Sequence, residues 1–242
     1  FRKDFIMKIL AIDTASDVCG VSILEDNHCI CKLDTNTGRT HSENLMPMIQ
    51  EAFQKTGLTL KNIDLLVCDK GPGSFTGIRI GIATIKAFCD SLAIPCVGVS
   101  SLEVLAYQVK EEGFIASILD CKNENCYYAL YELKNGIYHE IISPVADSVE
   151  NAISILQTYD SPITFVGDGI DTYASIILEK IPMPFLMIDS ATLDSFDLGL
   201  AGLTKFHTLG NMGEDVLPLY LKKPQAQRLL EEKLRKEHLN HE

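Results

Sequence analysis

Gly71-Pro72-Gly73-Ser74-Phe75-Thr76-Gly77-Ile78-Arg79 is the stretch on which the reading of this chain turns. Before it, Ile63 to Asp69 (IDLLVCD) is a short apolar run of the kind that forms a buried strand. After it, Ile78, Ile82, Ile85 and Phe88 recur at helical spacing, with Ser74 or Thr76 placed to cap the helix. The unit is a strand, a glycine loop and a helix N-terminus, which can turn backbone N–H groups and the helix dipole toward an anion. Two known phosphate loops do not match it. A Walker loop needs Lys after its last glycine, where this chain has Ile78 and Arg79. Gly71, Gly73 and Gly77 give GxGxxxG, one residue longer than the dinucleotide fingerprint. The alternative is structural: Pro72 and Gly73 make a tight turn, and Gly77 and Gly81 let the helix approach another backbone closely. The residues alone favour this second reading slightly.

With 242 residues, 46% of them hydrophobic, the chain can bury one large core or two modest ones. Its net charge of −12 argues against autonomous nucleic-acid binding, which depends on phosphate contacts, so any such role needs a basic partner. The eight cysteines fall mostly in apolar runs and form no CxxC pair, a pattern expected of reduced thiols in a cytosol. No apolar run approaches the about 20 residues that span a bilayer. Asp13 interrupts the first apolar run, so no signal peptide is expected and the localisation predicted is cytoplasmic. Residues 1–6 read as a non-native or upstream extension.

Outward from the glycine loop, strands are expected at 8–13, 20–25, 29–34, 63–69 and 95–99, with helices through Lys55, over 78–92 and over 101–109. From Phe114 the pattern starts again: strands at 114–120, 126–133 and 137–142, a helix near 147–158, a strand at 163–167 and a helix at 171–180. Each half reads βββαβα. The openings overlay, since Asp13 precedes Cys19 at the same spacing as Asp120 precedes Cys126. A duplicated βββαβα unit resembles the actin, hexokinase and Hsp70 ATPase superfold, an α/β, ribonuclease H-like architecture with two subdomains. The expected subdomains are 7–110 and 111–224, followed by a helical tail over 225–242 with Leu229, Leu230 and Leu234 among charges. Leu217 to Leu221 reads as an extended segment lying on the domain. The superfold places an acidic residue at the first hairpin of each half beside nucleotide phosphates. Asp13 and Asp120 hold those positions, although an Asp at a strand end also caps its own turn. Gly167-Asp168-Gly169 stands where the second half would meet adenosine, or forms a strand-to-helix turn capped by Asp168 or Asp171.

His41, Ser42 and Glu43 head a helix. A helical metal site wants a second ligand at i+4, and position 45 is Leu, so no metal site is predicted. Thr40 and Glu43 have capping-box spacing, while Pro47 suggests a later start near Glu43 or Asn44. Leu45, Met48, Ile49, Ala52 and Phe53 form one apolar stripe, and Met46 widens it. Core packing is the ordinary role of such a stripe, and a partner helix can share it.

ILAIDTA (9–15), HSENLMP (41–47), GPGSFTGIRIGIA (71–83), Ser101-Leu102, Asp120 with Tyr127-Tyr128, Gly167-Asp168-Gly169 and PLYLKKPQA (218–226) occur in an order that resembles the bacterial TsaB (YeaZ) family. The resemblance covers about Met7 to Ala226. It implies an actin-like fold and a non-catalytic subunit of the machinery that makes threonylcarbamoyladenosine at position 37 of tRNA. It further implies that the catalytic paralogue TsaD docks on the helix through His41, Leu45, Met46, Met48, Ile49, Ala52 and Phe53. TsaD carries two metal-binding histidines on its equivalent helix, where this chain has His41 alone. The ATPase TsaE would join the pair, tRNA would be reached only through the complex, and the isolated chain would form a homodimer. Asp13, Gly71, Gly73, Gly77, Gly167 and Gly169 would outline a vestigial nucleotide cleft, with no cofactor bound firmly and ATP or ADP at most shared at the complex interface. The family's arginine-rich turn after the second-half strand is replaced here by Asp120-Cys121-Lys122, so no role of that arginine carries over. The rival readings are a free-standing ATPase or kinase of the same superfold, and a protease acting on the paralogue, for which no nucleophile set is recognisable.

Overall fold

The computed structural model describes residues 6–37, 40–181, 186–188, 192–213 and 216–222. The expected tail over 225–242 and residues 1–5 lie outside them. The first half opens with three antiparallel strands, β1 (Lys8–Asp13), β2 (Cys19–Glu25) and β3 (His28–Thr35). Helix α1 (His41–Thr56) and a short 3-10 turn at Leu60–Asn62 lead to β4 (Leu65–Asp69), then α2 (Phe75–Leu92), β5 (Cys96–Val99) and α3 (Ser101–Ala106). β4 runs parallel to β1 and β5 parallel to β4, giving the order β3-β2-β1-β4-β5.

The second half repeats the plan. β6 (Gly113–Asp120), β7 (Asn125–Lys134) and β8 (Ile137–Ser148) form the antiparallel part. α4 (Val149–Leu156), β9 (Ile163–Val166), α5 (Gly169–Lys180), β10 (Met187–Ile188) and α6 (Ser195–Leu209) follow. The second sheet has the order β10-β9-β6-β7-β8, the same topology as the first. The duplicated α/β architecture is thus present as βββαβαβα in each half: the strand expected at 95–99 and the helix at 101–109 complete the first, and the second carries β10 and α6 beyond the elements expected.

The structure decides between the alternatives for two helix starts. α1 begins at His41 with Pro47 inside it. The Thr40 N–H and hydroxyl donate to the Glu43 carboxylate at 3.0 and 2.8 Å, and this cap outweighs the one bond that Pro47 cannot donate. α2 begins at Phe75, because the Ser74 hydroxyl accepts the Gly77 N–H.

The third helix of each half crosses to the other sheet's neighbourhood. α3 packs on β6 and β7, while α6 packs on β1, β2, β4 and β5. α6 therefore covers the first sheet although its residues fall within 111–224. Two glycines within α6 weaken its helical signal in the sequence. Both are required by packing: a Cβ at Gly199 would stand 2.7 Å from Leu24 Cδ1, and one at Gly202 2.4 Å from Val67 Cγ1. With α1 and α2 on one face and α6 on the other, Ile9 to Ile12 of β1 are wholly buried. Among the described residues no helix is long and apolar enough to cross a membrane.

The tightest contact in the first half lies where α2 crosses the segment after β1. A Cβ at Gly77 would stand 1.9 Å from the Thr14 carbonyl oxygen, and one at Gly73 2.2 Å from that of Ala15. Gly77→Ala is accordingly expected to lower the stability measured by urea unfolding by about 1–3 kcal/mol, as overpacked sites do. An unchanged midpoint would show that this contact yields freely.

Candidate functional site

A cleft of about 590 Å³ opens between the two sheets, walled by Ala15 to Val18, Pro72 to Ser74, Leu119 to Lys122 and Asp168 among others. Its construction begins with three aspartates at strand ends. Asp13 accepts the Ala15 N–H at 2.8 Å, Asp69 the Gly71 N–H at 2.6 Å and Asp120 the Lys122 N–H at 2.8 Å. Each carboxylate pins the turn two residues on, so all three serve as turn caps. Ser101, one of the motif residues, donates to the same Asp69 oxygen at 2.7 Å.

Ile12 pairs with Cys68 on the parallel strands β1 and β4, which brings Asp13 and Asp69 to neighbouring strand ends. Both are buried. Burial pushes the Asp13 carboxyl up to about 7, with Asp34 and Asp194 adding to the rise. Burial and then the Asp13 charge push Asp69 well above the carboxylate range, and its Oδ2 is buried without a partner. Asp120 moves the other way: its own burial opposes ionisation, and hydrogen bonds from Lys122 and Tyr173 outweigh that and hold it low.

Three amides of the glycine loop are turned inward and not to the cleft. Gly71 N–H donates to Asp69, Ser74 N–H to the Ala15 carbonyl and Gly77 N–H to the Ser74 hydroxyl. Of the residues expected to outline the cleft, Gly73 lines it directly, while Asp13 lies beneath the wall. Gly167 and Gly169 serve close packing, since Cβ atoms there would stand 2.3 Å from the Ile118 carbonyl oxygen and 2.5 Å from Ile118 Cγ2. Asp168 accepts the Asp120 N–H at 2.9 Å instead of capping α5 with its side chain. The lining carries Asp17, Asp120 and Asp168 against Lys122, whose ammonium is bound to Asp120. That donor set does not fit a triphosphate unless another cation is supplied.

The extended segment expected at Leu217 to Leu221 closes one edge of this region. Leu219 N–H donates to the Lys70 carbonyl, and Tyr220 stacks on Phe75 with ring centres 4.8 Å apart. The Arg79 guanidinium lies 3.8 Å over Phe75 and donates from Nε to the Tyr220 hydroxyl. This ties the PLYLK motif to the glycine loop.

A second concavity, of about 740 Å³, lies outside the cleft along α1 and the start of the following loop. Met46, Pro47, Ile49, Gln50, Phe53, Leu58, Leu60 and Phe88 line it. Met46 is 52% exposed, unusually so for a methionine. The other residues expected on a partner face divide. Leu45, Met48 and Ala52 are buried against the first sheet, following the helical stripe to the core. His41 turns to the cleft loop, its Nε2–H donating to the Ser16 carbonyl at 2.8 Å. The groove is lined by Met46, Phe53 and the buried Ile49, joined by Pro47, Gln50, Leu58, Leu60 and Phe88, a set that sequence periodicity on α1 alone could not collect.

Two like five-stranded sheets around a cleft, with α3 and α6 exchanged across it, define a protein of the actin-like ATPase fold. A hexokinase of the ROK type from Thermus thermophilus shares that fold at a TM-score of 0.50 and 9% identity, covering 84% of this chain and all of that one. The chain belongs to the TsaB family. The TsaB protein of Bacillus subtilis, described as a tRNA threonylcarbamoyladenosine biosynthesis protein, is 31% identical over 172 residues, 71% of this chain and 75% of the relative. Its Escherichia coli counterpart is 34% identical over 137 residues, 55% of this chain and 59% of the relative. The solved structure of YeaZ from Pseudomonas aeruginosa superposes with a TM-score of 0.74 at 25% identity, covering 89% of this chain and all of that one. A family model described as "TsaD: tRNA N6-adenosine threonylcarbamoyltransferase" matches residues 35–230.

The raised Asp13 carboxyl has a stability consequence. Its contribution is fully present below the ordinary value of 3.8 and is lost as pH rises through about 7. The thermal midpoint is expected to fall between about pH 4 and about pH 7 and to level off above that, and Asp13→Asn to flatten that fall. Parallel pH curves for the two proteins would remove Asp13 as the cause.

Proposed function

We propose that this chain is a non-catalytic docking subunit in tRNA threonylcarbamoyladenosine biosynthesis, presenting the α1 groove to the catalytic paralogue TsaD. The observation that carries the reading is the apolar groove around the exposed Met46, together with family membership. The cleft supports it from the other side. Its strand-end carboxylates and the Gly71, Ser74 and Gly77 amides are engaged in holding turns, which leaves them little freedom for chemistry on a substrate. The ATPase TsaE joins the pair in this reading, and the net charge of −12 assigns tRNA contact to the other subunits. A nucleotide, where one is held, lies at the shared interface, because the acidic lining needs a cation from elsewhere. Without the paralogue, the same groove pairs two copies of the chain. The protein works in the cytoplasm.

Reconstitution tests the function: tRNA modification measured with the paralogue present is expected to depend on addition of this chain. Equal product without it would overturn the role. Met46→Asp tests the surface, because Met46 is exposed and its replacement leaves the core untouched. Co-purification with the paralogue is expected to be lost at an unchanged thermal midpoint. An intact complex would refute docking at this groove.

A further inference from the structure

The segment Ala15 to Val18 forms one wall of the cleft. Its anchors come from the two helices beside the docking groove. The Thr14 hydroxyl donates to the Gly77 carbonyl at 2.8 Å, and the Ser74 N–H donates to the Ala15 carbonyl at 2.7 Å. Both are contacts to the start of α2. The third anchor comes from α1, whose first residue, His41, donates from Nε2 to the Ser16 carbonyl at 2.8 Å. Beyond it, the Ser16 hydroxyl accepts the Val18 N–H at 3.2 Å, so the pinned residue shapes the rest of the turn. His41 Nδ1 is buried without a partner, leaving the Ser16 bond as the ring's one polar anchor.

We propose that the docking face and the cleft are coupled through His41: a partner seated on the α1 groove fixes the start of α1, and the bond to Ser16 passes that constraint to the cleft wall. The inference rests on the docking reading above and adds a regulation of the cleft that docking alone does not require. Coupling of this kind is reciprocal, so whatever occupies the cleft also biases docking. Of the two α2 anchors, the Ser74 bond is backbone to backbone and the Thr14 hydroxyl bond precedes the wall residues, and neither reaches α1. His41 is the link that a substitution can cut.

Hydrogen exchange of the full chain, alone and in complex with the paralogue, reads the coupling directly. Docking is expected to slow exchange of the Ser16 to Val18 amides by about tenfold. His41→Ala is expected to form the complex without that protection, and His41→Gln, which keeps a donor near the Nε2 position, to restore it. Thermal midpoints taken alongside separate loss of coupling from loss of fold. A complex in which these amides exchange as fast as in the free chain overturns this inference and leaves docking standing, as does equal protection in His41→Ala. Failure of the unsubstituted chain to form a complex overturns both.

Discussion

The structure depends on one close crossing, where the start of α2 rides over the chain that leaves β1. Backbone meets backbone there: Gly73 and Gly77 face the carbonyls of Ala15 and Thr14, and a Cβ at Gly81 would stand 2.5 Å from the Thr14 hydroxyl oxygen. Any side chain at these positions would lift α2 from the sheet. The helix would then lose the burial of Ile78, Ile82 and Ile85, and the cleft wall would lose its anchors. The glycine segment thus resembles a phosphate loop because both uses demand a backbone free of side chains. What separates them is the direction of the N–H groups, and here three of them point inward.

The strand-end aspartates follow from the same economy of turns. A parallel strand leaving a sheet must redirect its backbone at once, and a carboxylate that accepts the amide two residues on does so locally. At Asp120 the carboxylate is partly open to solvent and gains Lys122 and Tyr173 as donors, so it stays ionised. At Asp13 and Asp69 the strands are flanked by helices on both faces, and burial raises both groups instead. The same residue type in the same turn thus has opposite proton affinity, decided by how much of the sheet above it is covered.

Sequence periodicity carried most of the fold because the elements it found are either alternating strands or helices with one apolar stripe. β1 to β3, α1, β4 and the matching elements of the second half were legible for that reason. α6 was not, since Gly199 and Gly202 dilute its helical pattern, and the need for them arises only from Leu24 and Val67 on distant strands. The starts of α1 and α2 stood open in the sequence, and the caps at Thr40 and Ser74 decide them against the signals from Pro47 and the glycines. In the candidate site, the importance of Met46 and Phe53 could be read from α1, whereas Leu58, Leu60 and Phe88 come from a loop and a second helix. Asp69 carries no motif signal of its own beyond its place before Gly71, which repeats that of Asp13 before Ala15.

The separation of groove from cleft bears on how one fold serves two kinds of work. Catalysis in a two-subdomain architecture concentrates between the sheets, while docking needs an apolar face on the outside. In this chain α1 spends Leu45, Met48 and Ala52 on the core and keeps Met46 and Phe53 for the groove, so one helix faces both ways. The rear stripe packs α1 against β2 and β3. His41 stands at the end of that helix nearest the cleft, where stiffness along α1 converts a contact at the groove into a position at Ser16.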